Sequence, residues 1–480
     1  MRTEDIIQGI KVDDEAVVSR MLHDLVNEHR NGRGNQIRNF ERRYEQRGLP
    51  IQTRVTRNPN KIDERIPNDF FSDIIDTKQG YMGNEVTVDL PEGTTAQLEA
   101  LKRFHRLNDA VDQNSEMVKA AARDGVGYRL LYIPEGLNEI RTKQLPASET
   151  VTYEDESLGT TVYAMRYWYV DDVVFQGARD YKTKRTVVEW YDKENITYYI
   201  DDGQGNYKID RNKGREVETE EGRSKTGVQP HLFNGVPIIK FRNNEEGQGE
   251  AEKVLSLIDA YDTIVSATVS EIEQFRLAYL ALKDAGGTVT DDFMRRLEQT
   301  GVFPLGPNGD AKFITKDAAV ESVKIVLDEL RINIYQFARS IDLSKDYGGD
   351  LRVIGWQVAL LNLENSCKVT ERKFKQSLLD EYQLISQKWA EWGVQIDPLD
   401  LEFTFTRNFP KDLGSEAKIL LDLLGTVSRK TAYSLMSFIG DPEAEAEAYD
   451  EERTANADMF GLGLMNESED DTASGDQDGD

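Results

Sequence analysis

Several residue types from which common active sites are built are scarce in this chain of 480 residues. Cys367 is the only cysteine, so no disulfide can form within the chain, and a zinc site built from several thiolates is excluded. The four histidines, His23, His29, His105 and His231, do not occur in the HExxH spacing of a metal site, and we expect each of them to lie on the surface. The sequence therefore predicts no catalytic metal or thiol centre.

Three further signals are missing. No apolar run approaches the ~18 residues that cross a membrane, and the opening residues, MRTEDIIQGI, carry acids where a signal peptide needs a basic end and an apolar core. No GxxxxGK[ST] phosphate loop occurs. Paired acids such as Asp291-Asp292 are expected by chance in so acidic a chain. We therefore predict a protein that is made and used on the cytoplasmic side of a cell, needs no cofactor and is not an enzyme.

Negative charge is what the chain has in excess. Its 87 acidic residues outnumber 59 basic ones, for a net charge of −28. From Gly440 onward there are fifteen acidic residues and a single basic one, Arg453. This segment therefore carries half of the net charge. Affinity for phosphates comes from Lys and Arg that release counterions, so the chain is a poor static binder of nucleic acid.

The first half of the chain is predicted to combine helices with strands. Helical spacing of apolar residues occurs over 14–29 and 68–80, and a capping box at Thr94 and Gln97 begins a third helix. After Gly127 the pattern alternates, and the strands are expected over 128–133, 161–170, 185–192 and 195–210. The acids of IDDGQGNYKID lack the register of a calcium-binding loop, so we interpret this stretch as a hairpin. The short basic stretches near Arg42 and Arg242 are interpreted as solvated surface.

The second half is dominated by long helices. No Gly or Pro occurs from Glu250 to Lys283, where apolar residues recur at helical spacing. A segment rich in Gly and Pro follows, then a second helix to about Ile341 and a glycine-containing polar loop. A third helix is predicted from Trp356 to Trp392, with one apolar stripe: Leu360, Leu363, Cys367, Phe374, Leu378, Tyr382, Ile385 and Trp389. A strand at 401–409 and three short helices, begun by Ser415, Ser428 and Asp441-Pro442, complete the pattern.

The residues alone leave three classes of protein open. Helices of about 50 Å are longer than most single globules need, and a ring of subunits standing side by side would use them. An acidic, metal-dependent phosphoryl or nucleotidyl enzyme would need a carboxylate cluster that the sequence does not show. A coiled-coil scaffold protein is disfavoured by the strands of the first half and by the lack of sustained heptads.

Four stretches resemble the portal proteins of tailed bacteriophages, in particular the siphophage-type portal family. They are NKIDERIPNDFFSDIIDTKQGYMG at 60–83, NGVPIIKFRNNEEGQGEAEKVLSLIDAYDTIVSATVSEIEQF at 234–275, LLNLENSCKVTERKFKQSLLDEYQLI at 360–385 and VSRKTAYSLMSFIGDPEAEAEAYDEE at 427–452. Cys367 and Val369 depart from the family's usual pattern. No single stretch is a catalytic signature, and the specificity lies in their order along nearly the whole chain.

The resemblance implies an α+β portal fold with a fixed order of parts. These are an N-terminal wing region (1–249), a first stem helix (250–283), a clip (284–316), a second stem helix (317–341), a tunnel loop (342–355), a long helix with a returning wing strand (356–412), a helical crown (413–465) and a disordered acidic tail (466–480). The residues expected at the DNA channel are Lys345, Asp346, Tyr347, Gly348, Gly349 and Arg352. Those expected to dock partners at the clip are Val302, Phe303 and Leu305.

The resemblance also implies partners. It predicts a ring of identical subunits, twelve in the particle, at the portal vertex of the virion, assembled in the host cytoplasm. Double-stranded viral DNA would pass through its channel during packaging and ejection. The large terminase subunit, the major capsid and scaffolding proteins and the head-to-tail adaptors would dock on it, and no membrane would be involved. An acidic channel wall suits this role, since it lets a polyanion pass without holding it.

Overall fold

Helices make up the first part of the chain in the computed structural model. The structure describes residues 4–6, 9, 14–55, 62–83, 85–155, 157, 159–176, 179–219, 222–276, 279–283, 310–314, 320–344, 352–408, 418, 420–424, 426–436, 439 and 442–459. The helices before the first large sheet are α1 (Glu15–Asn31), α2 (Arg33–Tyr44), α3 (Pro50–Thr53), α4 (Phe70–Met82), α5 (Thr95–Asn108) and α6 (Ala110–Asp124). Residues 1–408 form one compact unit and 409–480 a second.

Local capping sets several of these helix ends. The Asp14 side chain accepts a hydrogen bond from the Ala16 amide and begins α1. The predicted capping box of Thr94 and Gln97 is confirmed at the start of α5. Gly32 ends α1 near the predicted point, but α2 begins at the next residue, which the sequence reading missed. Gly32 both ends α1 and precedes α2, and Gly34 lies within α2.

The strands that follow form several antiparallel sheets. They are β1 (Glu85–Asp89), β2 (Val126–Tyr132), β3 (Arg141–Leu145), β4 (Thr150–Glu154), β5 (Thr161–Gln176), β6 (Arg179–Tyr191), β7 (Asn195–Asp201), β8 (Tyr207–Ile209), β9 (Glu216–Thr219), β10 (Gly222–Lys225), β11 (Val228–Pro230) and β12 (Ile238–Arg242). One sheet has the order β11-β7-β6-β5-β4 with β8 on β7, a second is β12-β2-β3, and β9 pairs with β10. The predicted hairpin is confirmed, because β7 pairs with β8 with Tyr207 opposite Asp201.

The second half of the first unit contains the long helices. Its elements are α7 (Leu255–Arg276), β13 (Tyr279–Lys283), β14 (Asp310–Ile314), α8 (Val320–Phe337), α9 (Arg352–Glu391) and β15 (Glu402–Thr406). At ~1.5 Å per residue α9 is about 60 Å long. All eight residues of its predicted apolar stripe are buried, which confirms that prediction. β15 pairs with β1, more than 300 residues earlier, with Phe405 opposite Val86.

Two boundaries differ from the sequence prediction. The helix expected to reach Lys283 ends at Arg276, and 279–283 forms β13, paired with β14 so that Leu280 lies opposite Phe313. The sequence shows no Gly or Pro to end the helix, and the strand forms because a partner strand lies 27 residues further along, from Lys283 to Asp310. At the other boundary α9 begins at Arg352 rather than Trp356, since a single interior glycine, Gly355, costs a helix only about 1 kcal/mol.

The second unit is helical where it is described. α10 (Arg429–Ser434) begins with Ser428, whose side chain accepts a hydrogen bond from the Thr431 amide, and α11 (Pro442–Met459) begins at its proline, both as predicted. Arg429 joins the two helices through a 2.7 Å hydrogen bond to Asp450. Residues 418 and 420–423, within the helix predicted to begin at Ser415, are helical, whereas Ser415 itself and the acidic tail 466–480 lie outside the described residues. In the part of the chain that the structure describes, no helix is long and apolar enough to cross a membrane.

Candidate assembly site on the paired helices

The base of the pair formed by α7 and α8 packs against α4. Ile258 of α7 and Ile334 of α8 are buried in one hydrophobic cluster with Phe71 and Ile75 of α4. Tyr335 on α8 also donates a 2.8 Å hydrogen bond to the Asp73 carboxylate of α4. The base of the helix pair is thus a complete core within one chain.

An extended segment at 62–68 runs along α7 and is held by side chains of the helix. The backbone N–H of Glu64 donates to Ser270 Oγ at 2.9 Å and that of Ile66 to Ser266 Oγ at 3.0 Å. The N–H of Asn68 donates to Asp262 Oδ1 at 2.9 Å. Two residues of an extended chain span ~6.6 Å, and four residues of a helix rise ~6 Å. Every second residue of the segment can therefore reach every fourth residue of α7.

The sequence reading did not find this contact, although a signal for it exists. Asp262, Ser266 and Ser270 recur every four residues on a helix whose other inward positions are apolar. All three are buried, and buried polar side chains require hydrogen-bond partners. The spacing alone did not reveal which segment of the chain supplies those partners.

The outward side of the helix pair carries large apolar side chains exposed to solvent. Ile325 is 62% exposed, Ile332 51% and Phe337 55% on α8, and Ile272 is 51% exposed near the end of α7. Ile325 and Ile332 are seven residues apart, two helical turns, and so lie above one another on the same side of α8. A single chain leaves this stripe uncovered, and such stripes mark surfaces that bind another protein.

Buried charges join the long helix α9 to residues of the first half of the chain. Lys78 is 1% exposed, and its Nζ donates to Asn243 Oδ1 at 2.9 Å and to Thr370 Oγ1 at 2.7 Å. The same ammonium group forms an ion pair with Glu250, just before α7. Burial acts to raise the pKa of Glu250, but the charge of Lys78 and its hydrogen bonds hold that pKa below its usual range. One lysine thereby ties α4, α9 and the start of the helix pair together.

A second buried pair lies further along α9. Arg129 of β2 forms a 2.8 Å ion pair with Glu381, and both side chains are almost fully buried. Arg129 also donates to Asn114 Oδ1 at 2.8 Å. Burial raises the pKa of Glu381 despite the neighbouring guanidinium. Arg407, after β15, pairs with both Glu364 and Glu371 and makes a third connection to the helix.

The predicted channel and docking residues fall mostly outside the described part of the chain. Lys345, Asp346, Tyr347, Gly348 and Gly349 lie there, and so do Val302, Phe303 and Leu305. Arg352 is the first residue of α9. The root of the predicted loop is described, and Arg331 of α8 fixes it through a 2.8 Å ion pair with Asp342.

Three of the four histidines are not the surface residues that the sequence predicted. His29 contacts the Tyr167 hydroxyl at 2.8 Å, and burial together with the charge of Arg38 lowers the pKa of His29 to about 4. His105 makes a 2.8 Å contact to the Tyr382 hydroxyl, and burial lowers its pKa too. His231 is buried against the turn before β7. Each packs against an aromatic ring: His29 against Tyr167, His105 against Tyr382 and His231 against Phe233.

One basic residue also differs from the prediction. Arg43, in the stretch interpreted as solvated surface, is buried and donates to both carboxylate oxygens of Asp259 at 2.8 and 2.9 Å. This bidentate pair joins α2 to α7. The sequence could not distinguish it from its exposed neighbour Arg42.

No part of the described structure has the chemistry of an active site. No group of three or more His, Cys, Asp or Glu that could hold a metal ion occurs among the described residues. Cys367 is buried, and burial raises the pKa of its thiol to about 11, so it is not a nucleophile. Buried charges instead brace a long helix, and an uncovered apolar stripe lies on the helix pair. An uncovered apolar stripe of this kind is typical of a protein that assembles with other copies or partners.

Comparison with known families identifies which structural protein this is. The family model described as "Phage portal protein, SPP1 Gp6-like" matches residues 23–459, and the chain belongs to this family. It is 24% identical over 433 residues to the portal protein of Bacillus phage SPP1, covering 86% of this chain and 80% of that one. It is also 25% identical over 232 residues to the portal protein of Clostridium phage phiCD119, covering 47% and 51% respectively.

Two solved structures are also similar. The neck of a native gene transfer agent particle, computed with C12 symmetry, gives a TM-score of 0.40 at 12% identity, covering 78% of this chain and 90% of that one. The virion of that type of particle gives 0.41 at 12% identity, covering 77% and 89%. Membership of the portal family makes the chain a structural, non-enzymatic component of the phage virion, located at the portal vertex. The enzyme and the coiled-coil scaffold considered from the sequence are thereby rejected.

Proposed function

We propose that the chain assembles into a closed ring, twelve copies in the virion, and that double-stranded viral DNA passes through the central channel during packaging and ejection. The observation that carries this proposal is the set of exposed apolar side chains on the helix pair: the stripe of Ile325 and Ile332 on α8, with Phe337 at the end of α8 and Ile272 near the end of α7. The number twelve is the one that the family resemblance implies.

The stripe suits contact between neighbouring copies in a ring. In a ring each subunit presents two different faces, one to each neighbour, and a head-to-tail contact of this kind closes without symmetric pairing. Exposed residues on two helices can supply those two faces. Full burial of one Ile or Phe side chain contributes about 1.5–3 kcal/mol. Four such residues per subunit, repeated around the ring, would stabilise the assembly strongly.

The loop between α8 and α9 is the part we propose for contact with DNA. Its root at Asp342 is fixed by Arg331, and Arg352 begins the helix that follows. Between them, Lys345 would give weak contacts to phosphates that break easily in a chain of net charge −28. Gly348 and Gly349 would let the backbone adapt to passing DNA. Asp346 and Tyr347 would complete the surface of the loop.

The segment between β13 and β14 is the part we propose for docking. The two paired strands bring residues 283 and 310 together, so the 26-residue segment between them begins and ends at neighbouring points. Val302, Phe303 and Leu305 lie in it and supply apolar contact residues. We propose that it binds the large terminase subunit and the head-to-tail adaptors, and that the wing contacts the major capsid and scaffolding proteins.

Ile325→Asp with Ile332→Asp tests the ring. Placing two charges on the stripe should make its burial between subunits unfavourable, while each subunit keeps its fold because both side chains are already exposed. Light scattering after size-exclusion chromatography should give the wild type a mass near twelve or thirteen times 54.6 kDa. The variant should elute as monomers or small oligomers with an unchanged circular dichroism spectrum.

Leu399→Asp is the matched control, since Leu399 is 76% exposed on a turn after α9, away from the helix pair. It should leave the ring intact. Intact rings from the double variant would show that α8 does not form the subunit contact. A wild type that stays monomeric at micromolar concentration would contradict the ring itself.

A further inference from the structure

One exposed leucine has a backbone conformation that side chains disfavour. Leu232 has φ of +70°, in the left-handed region, and is 51% exposed. Its neighbours His231 and Phe233 are both buried. A residue with a Cβ pays a conformational cost in this region, and at an exposed position glycine would avoid it. Strained residues of this kind cluster where the side chain has a function.

The surrounding loop prevents this strain from relaxing. The backbone N–H of Phe233 donates to His231 Nδ1 at 3.2 Å, so the ring proton must be on Nε2, which donates to the Asp192 carbonyl at 3.1 Å. The N–H of His231 donates to the Glu194 carbonyl at 3.1 Å. His231 is thus a positioning residue that holds Leu232 outward.

Leu232 lies at the edge of a large groove. The groove has a volume of about 1120 Å³ and runs between the β2–β3 connection, the face of the β5–β6–β7 sheet and the end of α9. Tyr132, the last residue of β2, and Leu137, from the β2–β3 connection, line it and are 41% and 50% exposed. Trp392 lines it as well, and it also lines a separate pocket of about 130 Å³ beside Trp389. The apolar surface therefore continues from the groove into a pocket of side-chain size.

The charge of the groove is opposite to that of the chain. Five basic side chains line it against three acidic ones, whereas acids outnumber bases in the whole sequence. Lys143, Arg215 and Lys225 form no ion pair within the described part of the chain. Unpaired cations beside exposed apolar groups match a ligand that carries both carboxylates and a large apolar side chain.

We propose that this groove binds an acidic, amphipathic segment of another protein of the phage particle. One large apolar side chain of the segment would enter the pocket formed by Trp389 and Trp392. Leu232 would pack on the adjacent residue of the bound segment. Carboxylates of the segment would pair with Lys143, Arg215 and Lys225. Nucleic acid fits less well, because the groove carries exposed apolar side chains and continues into an apolar pocket, neither of which a phosphate backbone would fill. The proposal does not depend on the ring.

A photo-crosslinking residue at position 232 tests the proposal in assembled particles. Benzoylphenylalanine in place of Leu232 should, after illumination, join the chain to one segment of a second virion protein, identified by mass spectrometry. That segment should contain more acids than bases and at least one large apolar residue. Crosslinks to DNA, to another copy of this chain or to a basic segment would overturn the proposal, and so would particles that contain the residue but give no crosslink.

Two sets of variants separate binding from folding, with the crosslinker placed at Leu137, which lines the groove. Leu232→Gly should leave the urea midpoint unchanged or raise it, since glycine tolerates φ of +70°, yet lower the crosslink yield at least fivefold. Lys143→Glu with Arg215→Glu and Lys225→Glu should lower it at least tenfold. The matched control replaces Lys102, Arg106 and Lys208, which are exposed and outside the groove, each with Glu. It should keep the wild-type crosslink yield. Unchanged yield in both groove variants would leave the groove without the proposed ligand.

Discussion

The long helix α9 and the pair of α7 and α8 differ in which side chains they bury. Contacts of α9 bury charged side chains, whereas the helix pair leaves apolar side chains exposed. Along α9 the charged partners Glu381 and Lys78 are buried within the chain, and the whole predicted apolar stripe is covered. On the helix pair, Ile325 and Ile332 face solvent. Where the chain completes its own core it can pair even buried charges, and where it exposes apolar groups it is incomplete without another molecule.

This difference indicates which changes act on folding and which on assembly. A substitution at a buried ion pair of α9 leaves an uncompensated charge inside a single subunit, so folding should suffer. A substitution on the outer stripe changes a surface that is already hydrated in one chain, so only assembly should suffer. The predictions below test that division, beginning with the largest effect on stability.

Arg129→Met should destabilise the fold by about 3–5 kcal/mol, because Glu381 would remain buried without its partner. The measurement is the midpoint of urea-induced unfolding, monitored by circular dichroism. Removing both charges with Arg129→Met and Glu381→Met should recover most of that loss, since apolar pairs of similar volume replace buried ion pairs at little cost.

Arg103→Met is the matched control for this prediction. Arg103 is 69% exposed and pairs with Glu139, so its loss should leave the midpoint unchanged within error. If Arg129→Met lowered the urea midpoint as little as Arg103→Met, the buried pair would not be what holds α9 to β2.

His29 should make stability depend on pH, with a smaller effect. In the unfolded chain a histidine titrates near 6.5, whereas burial lowers the pKa of His29 to about 4 in the fold. Between these values only the unfolded chain binds the proton, so the stabilisation is complete above pH 6.5 and is lost as pH falls towards 4. The loss should be on the order of 3 kcal/mol.

The measurement compares urea midpoints at several pH values between 6.5 and 4. His29→Gln, which keeps a polar group next to the Tyr167 hydroxyl, should flatten the profile in this window. His23→Gln, on the exposed side of the same helix, should retain the loss. Equal profiles for the wild type and His29→Gln would show that this histidine is not buried neutral.

Changes in the loop between α8 and α9 should have the smallest effect on stability. Lys345→Glu with Arg352→Glu, and separately Gly348→Val with Gly349→Val, should give normal rings, because residues that face the channel, as proposed, would contribute little to the stability of a subunit. Both should instead shorten the DNA found in capsids, through reversed charge or a stiffer backbone. Packaged DNA length is measured beside ring yield, and full-length DNA in both variants would remove the loop from the channel.

Local sequence signals predicted much of the fold. Helical periodicity placed the core stripe of α9, the Thr94 capping box placed the start of α5, and alternation placed the strands. These signals act over a few residues, since caps and periodicities depend on neighbours in the chain. The family, too, could be identified from ordered stretches of sequence.

Contacts between distant residues could not be predicted in this way. The pairing of β13 with β14 replaced the predicted end of a helix, and Arg43 and His29 are buried although their local sequence looks solvated. The proposed groove gave no sequence signal, because Leu232 and Trp392 are 160 positions apart and no local pattern links them.

By itself, then, the sequence determined the α+β class, the long helices, the excess of negative charge and the portal family, since each follows from composition or short-range pattern. Only the tertiary structure decided which charges are buried and paired, which segment lies along α7, and which apolar residues stay exposed. The physical reason is that burial belongs to the packed chain as a whole. The same lysine or isoleucine can be a solvated surface residue or a buried residue that connects two elements, depending on which residues the rest of the fold places beside it.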